Sequence, residues 1–389
     1  MVRVLHVAFG TYPNEKNPVA GIFVKKLVSL QIKKGINCHV LEGIYSFLGL
    51  FRSNIEIMED ERIVVRYQRG INKLPNIIAR EYLKRLSRLF LSTVPVKPDI
   101  IHCHFAFNAP VGQALSKELD SPYIVTLHEN HWWYEELLVK QPKLYKQAIV
   151  ESSLVTRPNS IDIIDLYKWD LPHEKIAYLQ NYVDETSFEI PSEKERRNAK
   201  ERMEVSEKQI IINVASLHKK KGHRLLIQAF SILSKRIPNL ELWIIGEGPE
   251  KKILNEQVKE LRLDKLVRFM GRIENNRIKY YLSCADVFAM PSISESFGIS
   301  QVEAMLTGLP VVSTKNFGSE EIVINGVNGF VCRDRDPVRF SSLLEKALAM
   351  NWDRERIRNT AVQRYGGDTV NKKILDLYSK AIARYRCRT

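Results

Sequence analysis

The feature that most restricts the fold of this chain is an alternation. Short apolar runs rich in β-branched residues are separated by longer stretches of helical period, and the series occurs twice. In the first half Val2–Phe9, Cys38–Leu41, Ile63–Tyr67, Asp99–Phe105, Tyr123–His128 and Ser153–Pro158 read as strands, with Gly21–Lys34, Pro75–Ser92 and Tyr134–Val150 as helices. A helix between two strands returns the chain parallel to its start, so the series makes a mostly parallel sheet covered on both faces. It restarts with strands Ile210–Leu217, Leu240–Ile245, Val267–Met270, Asp286–Met290 and Pro310–Ser313, and helices Leu225–Arg236, Glu250–Leu261, Ile299–Thr307 and Val338–Met350. A length of 389 residues suits two such domains. Ser192–Glu207, crowded with charges, reads as a linker or an exposed helix, and the boundary is set near Asp184–Pro191. The expectation is an α/β protein of two doubly wound domains, 1–187 and 188–366, facing a cleft and followed by a helical segment 367–389. Ligands of open α/β sheets bind beyond the carboxyl ends of the strands, so chemistry is sought just after each strand.

The five cysteines, Cys38, Cys103, Cys284, Cys332 and Cys387, are odd in number and form no C-x-x-C pair. Reduced thiols in a cytoplasmic setting are expected, without disulfides or structural zinc. No apolar stretch approaches the ~20 residues that span a bilayer, and Met1–Phe9 lacks a signal-peptide pattern, so any membrane contact is expected to be peripheral. A net charge of +14 suits nucleic acid, an anionic membrane or a phosphorylated ligand, and equally a solvated basic surface. From Arg62 to Lys97 there are nine Lys/Arg against one acid, Glu81, while Ile77, Ile78, Tyr82, Leu86, Leu89 and Phe90 repeat at helical spacing. A basic amphipathic helix suits an anionic membrane surface. The same pattern fits a domain helix whose basic face is solvated. No nucleic-acid module is recognisable and aromatic residues are not interleaved with the basic run, so no nucleic-acid partner is expected.

The densest chemistry lies in Ala289–Pro310, where an apolar strand ends at Pro291, a polar glycine-containing turn follows, and a helix starts near Gly298. Glu295 falls in the turn and Glu303 on the helix. A carboxylate accepts two hydroxyl hydrogen bonds side by side and so suits a vicinal diol. A helix N-terminus adds N–H donors for phosphate.

The spacing Glu295-x7-Glu303, within Pro291-Ser-x-x-Glu-Ser-Phe-Gly and ahead of Gly308-Leu-Pro310, resembles the E-x7-E signature of retaining GT-B glycosyltransferases, the large family 4 group. Ile245-Gly-Glu-Gly-Pro249, Val267-Arg-Phe-Met-Gly271 and Glu321-Ile-Val-Ile-Asn-Gly-Val-Asn-Gly-Phe330 resemble further segments of that family, in the family's order. Ala215–Gly222 aligns with G-R-L-x-x-x-K-G. Lys221 matches the lysine on the donor phosphate, whereas Ser216 stands where an arginine is usual and supplies one uncharged hydrogen bond.

The first half carries His102 and His104, two apart on a strand and so on one face, and His128 and His131 at the end of another. No acidic cluster accompanies them, and no metal is expected. The resemblance assigns His128 to the place of a histidine facing the donor sugar, although Glu129 and Asn130 follow it where the family has glycine and a small polar residue. It assigns His104 to the acceptor side. Gly21, opening a helix after the loop Gly10–Ala20, matches a family glycine near the ligand; a plain capping glycine fits as well.

The resemblance thus implies two Rossmann-like domains of GT-B type, with the last helix crossing back to the first. It implies His128, Lys221 and Glu295 as catalytic residues. The donor would meet Gly21, Ser216, Lys221, Gly222, Gly246, Gly248, Gly271, Arg272, Glu295, Phe297, Gly298, Ile299 and Glu303. The implied reaction moves a hexosyl group, with retention and without metal or other cofactor, from a nucleotide-sugar, UDP favoured over GDP, to a glycan or lipid-linked acceptor. A nucleotide-sugar epimerase of the same fold is an alternative, as is a basic non-catalytic membrane- or nucleic-acid-binding protein. A glycosidase carboxylate pair is disfavoured, because neither barrel nor sandwich patterning is present.

Overall fold

A computed structural model describes residues 2–9, 11–13, 21–45, 55–57, 62–67, 97–128, 142–161, 163, 166 and 171–387. The chain forms two compact units, Met1–Tyr182 with Asp368–Thr389, and Val183–Gly367.

The first unit is built on an eight-stranded sheet. Its strands are β1 (Arg3–Val7), β2 (Asn37–Tyr45), β3 (Ile55–Ile57), β4 (Arg62–Tyr67), β5 (Ile100–His104), β6 (Tyr123–Thr126), β7 (Leu154–Arg157) and β8 (Ile176–Tyr178). Their order is β3-β4-β2-β1-β5-β6-β7-β8, parallel except where β3 meets β4. β5 is buried at every residue, as expected of a strand with both sheet faces covered. The sheet order reverses between β1 and β5. There His6 pairs with His102 in register, so side chains of equal parity share one face.

The helix Gly367–Arg386 buries Val370, Ile374, Leu377, Tyr378 and Ala381 in one cluster with Val4, Val24, Cys38 and Ile100. The i, i+4, i+7, i+8, i+11 spacing is one apolar stripe, and it completes the core of the first unit. Sequence patterning missed β3 and β8, each three residues long, and the helix Ala109–Leu119. The basic segment Pro75–Ser92, the loop residues Gly10 and 14–20, and His131 lie outside the described residues.

The second unit has six parallel strands: β9 (Gln209–Val214), β10 (Leu240–Ile245), β11 (Val267–Gly271), β12 (Val287–Met290), β13 (Val311–Thr314) and β14 (Gly329–Cys332). Their order, β11-β10-β9-β12-β13-β14, reverses between β9 and β12. This is the doubly wound arrangement whose reversal point opens a ligand crevice. β10 is buried throughout, with Trp243 at its centre. Ser192–Glu207 contains a helix, Glu193–Arg202, rather than a linker. It starts with a capping box between Ser192 and Glu195 and is held by Arg196, whose Nη1 donates to the Ala285 carbonyl at 2.8 Å. Near the first residues of the unit, the Glu185 carboxylate accepts from Gly367 N at 3.0 Å, so the two places where the chain leaves the unit lie side by side. Among the described residues, no helix is long and apolar enough to cross a membrane.

Candidate functional site

In the second unit β9 and β12 pair only at Ile211–Val287 and Ile212–Phe288 and then diverge. Asn213 bridges the widening gap, donating to the Ala289 carbonyl at 2.7 Å and accepting His223 Nε2 at 3.0 Å. Burial, then the charges of Lys221 and His218, lower the His223 pKa to about 4, so the ring stays neutral beneath the crevice.

Above this bridge the loops after β9 and β12 meet. Ile293 N donates to the Lys220 carbonyl at 2.7 Å. Gly222 adopts φ 71°, and a Cβ there would lie 2.0 Å from the Pro291 carbonyl oxygen. Only glycine allows this turn and this approach together. Lys219–Lys221 form a single 3-10 turn. Lys219 and Lys220 are exposed, whereas Lys221 turns inward and is half-buried. Its Nζ donates to Glu295 Oε1, which also accepts from Ser292 Oγ at 3.0 Å. The Lys221 and Glu295 side chains retain 17% and 11% of their exposure, so the pair sits in a partly dry crevice open to a small polar ligand.

The Glu295 backbone is fixed as well, since its carbonyl accepts from Gly318 N at 3.0 Å. Gly298 and Ile299 begin the helix Ile299–Leu306, on which Glu303 is buried. Structure and sequence differ over Phe297. Its ring is buried and packs edge-on against Tyr365 at 5.1 Å, so its side chain belongs to the core and only its backbone can meet a ligand.

Three further glycines also approach the chain's own backbone. A Cβ at Gly246 would fall 1.9 Å from the Ala215 carbonyl oxygen, one at Gly248 2.5 Å from that of Leu217, and one at Gly21 1.7 Å from that of Thr11. These close approaches lock the loops after neighbouring strands, which then leave Ser216 and Arg272 exposed. Arg335, which the sequence did not single out, donates to the Pro291 carbonyl at 3.2 Å and adds a cation beside the Gly222 turn. In Glu321–Phe330, Asn328 accepts from Ile324 N at 2.7 Å and Asn325 from Val331 N at 2.8 Å, so this segment shapes a turn into β14.

In the first unit the histidines form one buried network. His6 Nδ1 meets His104 Nε2 at 3.0 Å, and His104 Nδ1 meets His128 Nε2 at 3.1 Å. His6 Nε2 meets Gln31 Oε1 at 2.7 Å, and Gln31 Nε2 donates to Tyr378 OH at 3.1 Å. His102 lies between Tyr378 OH at 2.9 Å and Thr126 Oγ1 at 2.6 Å. The ring nitrogens of His6, His102 and His104 fall within 4.8 Å of one another, a spacing that suits a metal ion. All six of these nitrogens nevertheless already have hydrogen-bond partners within the protein. His104 is fully buried between His6 and His128 and lines the same small cavity as His128. His128 is the member at the edge, lining a small cavity with Phe23, Asn181 and Tyr182. Sequence reasoning missed His6, Gln31 and Tyr378.

The family model for glycosyl transferases group 1 matches residues 194–364. A D-inositol 3-phosphate glycosyltransferase of Corynebacterium urealyticum is 27% identical over 300 residues, 72% of this chain and 71% of that protein. An N-acetyl-alpha-D-glucosaminyl L-malate synthase of Bacillus anthracis is 26% identical over 265 residues, 67% of each. Among solved structures, Anabaena HepE in complex with UDP and glucose has a TM-score of 0.75 at 19% identity, covering 97% of this chain and 100% of that one. Fold and relatives together define a glycosyltransferase of the GT-B class. Through residues 194–364 the chain is similar to the glycosyl transferases group 1.

Proposed function

We propose that the chain is a retaining, family 4-type hexosyltransferase that takes its sugar from a UDP-sugar and builds a cell-surface polysaccharide or glycolipid on a glycan or lipid-linked acceptor. The observation that carries this reading is the Lys221–Glu295 pair across the reversal point between β9 and β12. One member suits a phosphate and the other a polyol, and the two are adjacent, as a phosphate ester of a sugar requires.

In this reading the bond from the anomeric carbon to the diphosphate oxygen breaks, and its electron pair leaves with the diphosphate. Lys221, Ser216 and the N–H groups after Gly222 and Gly298 stabilise that charge. Glu295 holds hydroxyls of the transferring sugar, and Glu303 the ribose diol. Gly271 and Arg272, after β11, border the nucleobase. His128 faces the donor sugar. The acceptor oxygen forms the new bond on the same face, and its proton passes to the departing diphosphate. No metal ion or other cofactor takes part in this scheme.

Thermal-shift titration with UDP-, GDP- and ADP-sugars tests the donor, with the UDP-sugar expected to give the largest shift. Glu303→Ala loses two charge-assisted hydrogen bonds and is expected to weaken donor binding by on the order of 10- to 100-fold. Unchanged donor affinity in that variant removes Glu303 from the site. In the same reading the basic stretch 62–97 favours contact with an anionic membrane surface over a merely solvated face. Vesicles containing anionic lipid should therefore sediment it and neutral vesicles should not; equal recovery with both rejects the placement.

A further inference from the structure

The bridge under the crevice of the second unit is a single amide whose bonds run in one sense. Asn213 and His223 are both buried, one within β9 and one at the start of the helix His223–Leu233. A buried amide costs free energy unless its donor and its acceptor are both used. The Ala289 carbonyl can only accept, so the Asn213 atom 2.7 Å from it is Nδ2. Oδ1 therefore faces His223, which must donate to it from Nε2. The ring is then the Nε2–H tautomer. Its Nδ1 is buried and has no hydrogen-bond partner among the described residues, so a proton there would have nothing to bond.

Each end of the bridge leads to one member of the Lys221–Glu295 pair. Phe288 N donates to the Pro310 carbonyl on the β13 side, and successive residues of a strand face opposite neighbours. Ala289 thus turns its carbonyl towards β9 where the ladder between β9 and β12 has ended. The Asn213 side chain takes up that carbonyl. From Ala289 the chain runs through Ser292 to Glu295, and the Ser292 carbonyl accepts from Thr314 Oγ1 at 2.7 Å and Asn316 Nδ2 at 3.1 Å. On the other side Lys221 precedes His223 across the Gly222 turn, with its own N–H bonded to the His218 carbonyl at 2.8 Å. Both loops are held along their length, so the distance between their side chains is set at the base.

We propose that Asn213, with His223 as its second arm, is the positioning residue that holds Lys221 and Glu295 at pairing distance. Neither Asn213 nor His223 touches a ligand, since both are buried. The consequence for turnover rests on the donor reading given above; the bridge and its effect on the ion pair do not.

Two substitutions separate positioning from packing. His223→Gln keeps an N–H that can donate to Asn213, whereas His223→Leu keeps the bulk and removes the donor. In a buried position packing alone favours leucine. The readout is the Lys221 ammonium signal in proton–nitrogen spectra of the full chain labelled with nitrogen-15 in lysine, identified by its loss in Lys221→Met. It should be present in the unmutated protein, persist in His223→Gln and fade in His223→Leu. With UDP-glucose as the probe, kcat for UDP release should fall about tenfold in His223→Leu with KM little changed, the size of one lost hydrogen bond, and be largely restored in His223→Gln. A Lys221 signal that is absent from the unmutated protein, intact in His223→Leu, or lost equally in both variants overturns the proposal. So does a protonated Nδ1 on His223 in the unmutated chain labelled with nitrogen-15 in histidine, whichever variants fold. If the Lys221 signal responds as expected while UDP release does not, the donor reading is overturned and the positioning stands.

Discussion

Replacing Lys221 by methionine should lower kcat by about 10²- to 10³-fold, the usual loss when a charge stabiliser is removed from a developing oxyanion. Methionine keeps most of the stem, so packing against the Gly222 turn survives. What disappears is the ammonium group that pairs with Glu295. The neighbouring lysines do not substitute for it, because both are exposed while Lys221 turns into the crevice. The loss has a second source. Glu295 is then left partly dry with Ser292 as its remaining partner among the contacts described, and an uncompensated carboxylate beside a departing diphosphate repels it. Adding Glu295→Gln to the Lys221→Met protein should therefore cost less than Glu295→Gln alone costs. Steady-state kinetics on the four proteins of this cycle measures the coupling. A Lys221→Met enzyme within threefold of the unmutated one would falsify the assignment of Lys221 to the diphosphate.

The sequence made the second unit legible for a physical reason. Its site is local: Lys221, Gly222, Glu295 and Gly298 each lie a few residues beyond a strand whose apolar run is plain. Chain order and the rule for strand reversal then bring two loops together. The roles of the glycines were less legible. Their spacing suggested approach to a ligand, whereas the carbonyls of Thr11, Ala215, Leu217 and Pro291 occupy that space. Close approach by ligand and by backbone leave the same mark in a sequence. The histidine network was hardest to read. His102 and His104 announced a shared face, but His6, Gln31 and Tyr378 come from a paired strand, a helix and the far end of the chain. A polar residue within an apolar strand was the one available signal, and β1 carries it at His6.

Mild acid should destabilise the first unit before ordinary carboxylates begin to titrate. An unfolded imidazole has a pKa of about 6.5, whereas His6 and His128 are lowered to about 4 and about 3 in the folded unit, chiefly by burial. Between those values the unfolded chain binds protons that the folded chain excludes, so stability falls as pH falls. Above about pH 6.5 both states are neutral and nothing is lost. Below its folded pKa each ring is protonated in both states, and its contribution stops changing. The steepest loss available to one ring is about 1.4 kcal/mol per pH unit. With His102 and His104 shifted in the same direction, four rings act together. From pH 6.5 to pH 5 the combined loss is several kcal/mol, a large part of the roughly 5–15 kcal/mol that stabilises a domain. In the second unit His223 is lowered to about 4, so a shallower slope is expected there. Urea unfolding at pH 7.5, 6.5, 5.5 and 5.0, followed by hydrogen exchange in peptides from β1 and β5 against peptides from β9 and β10, resolves the two units. His6→Gln should cost stability at pH 7.5 yet flatten the slope by one proton, which separates titration from simple loss of packing. A first unit equally stable at pH 7.5 and pH 5.0 would mean that these rings take up protons without unfolding, and the network could not then hold neutral, directed imidazoles.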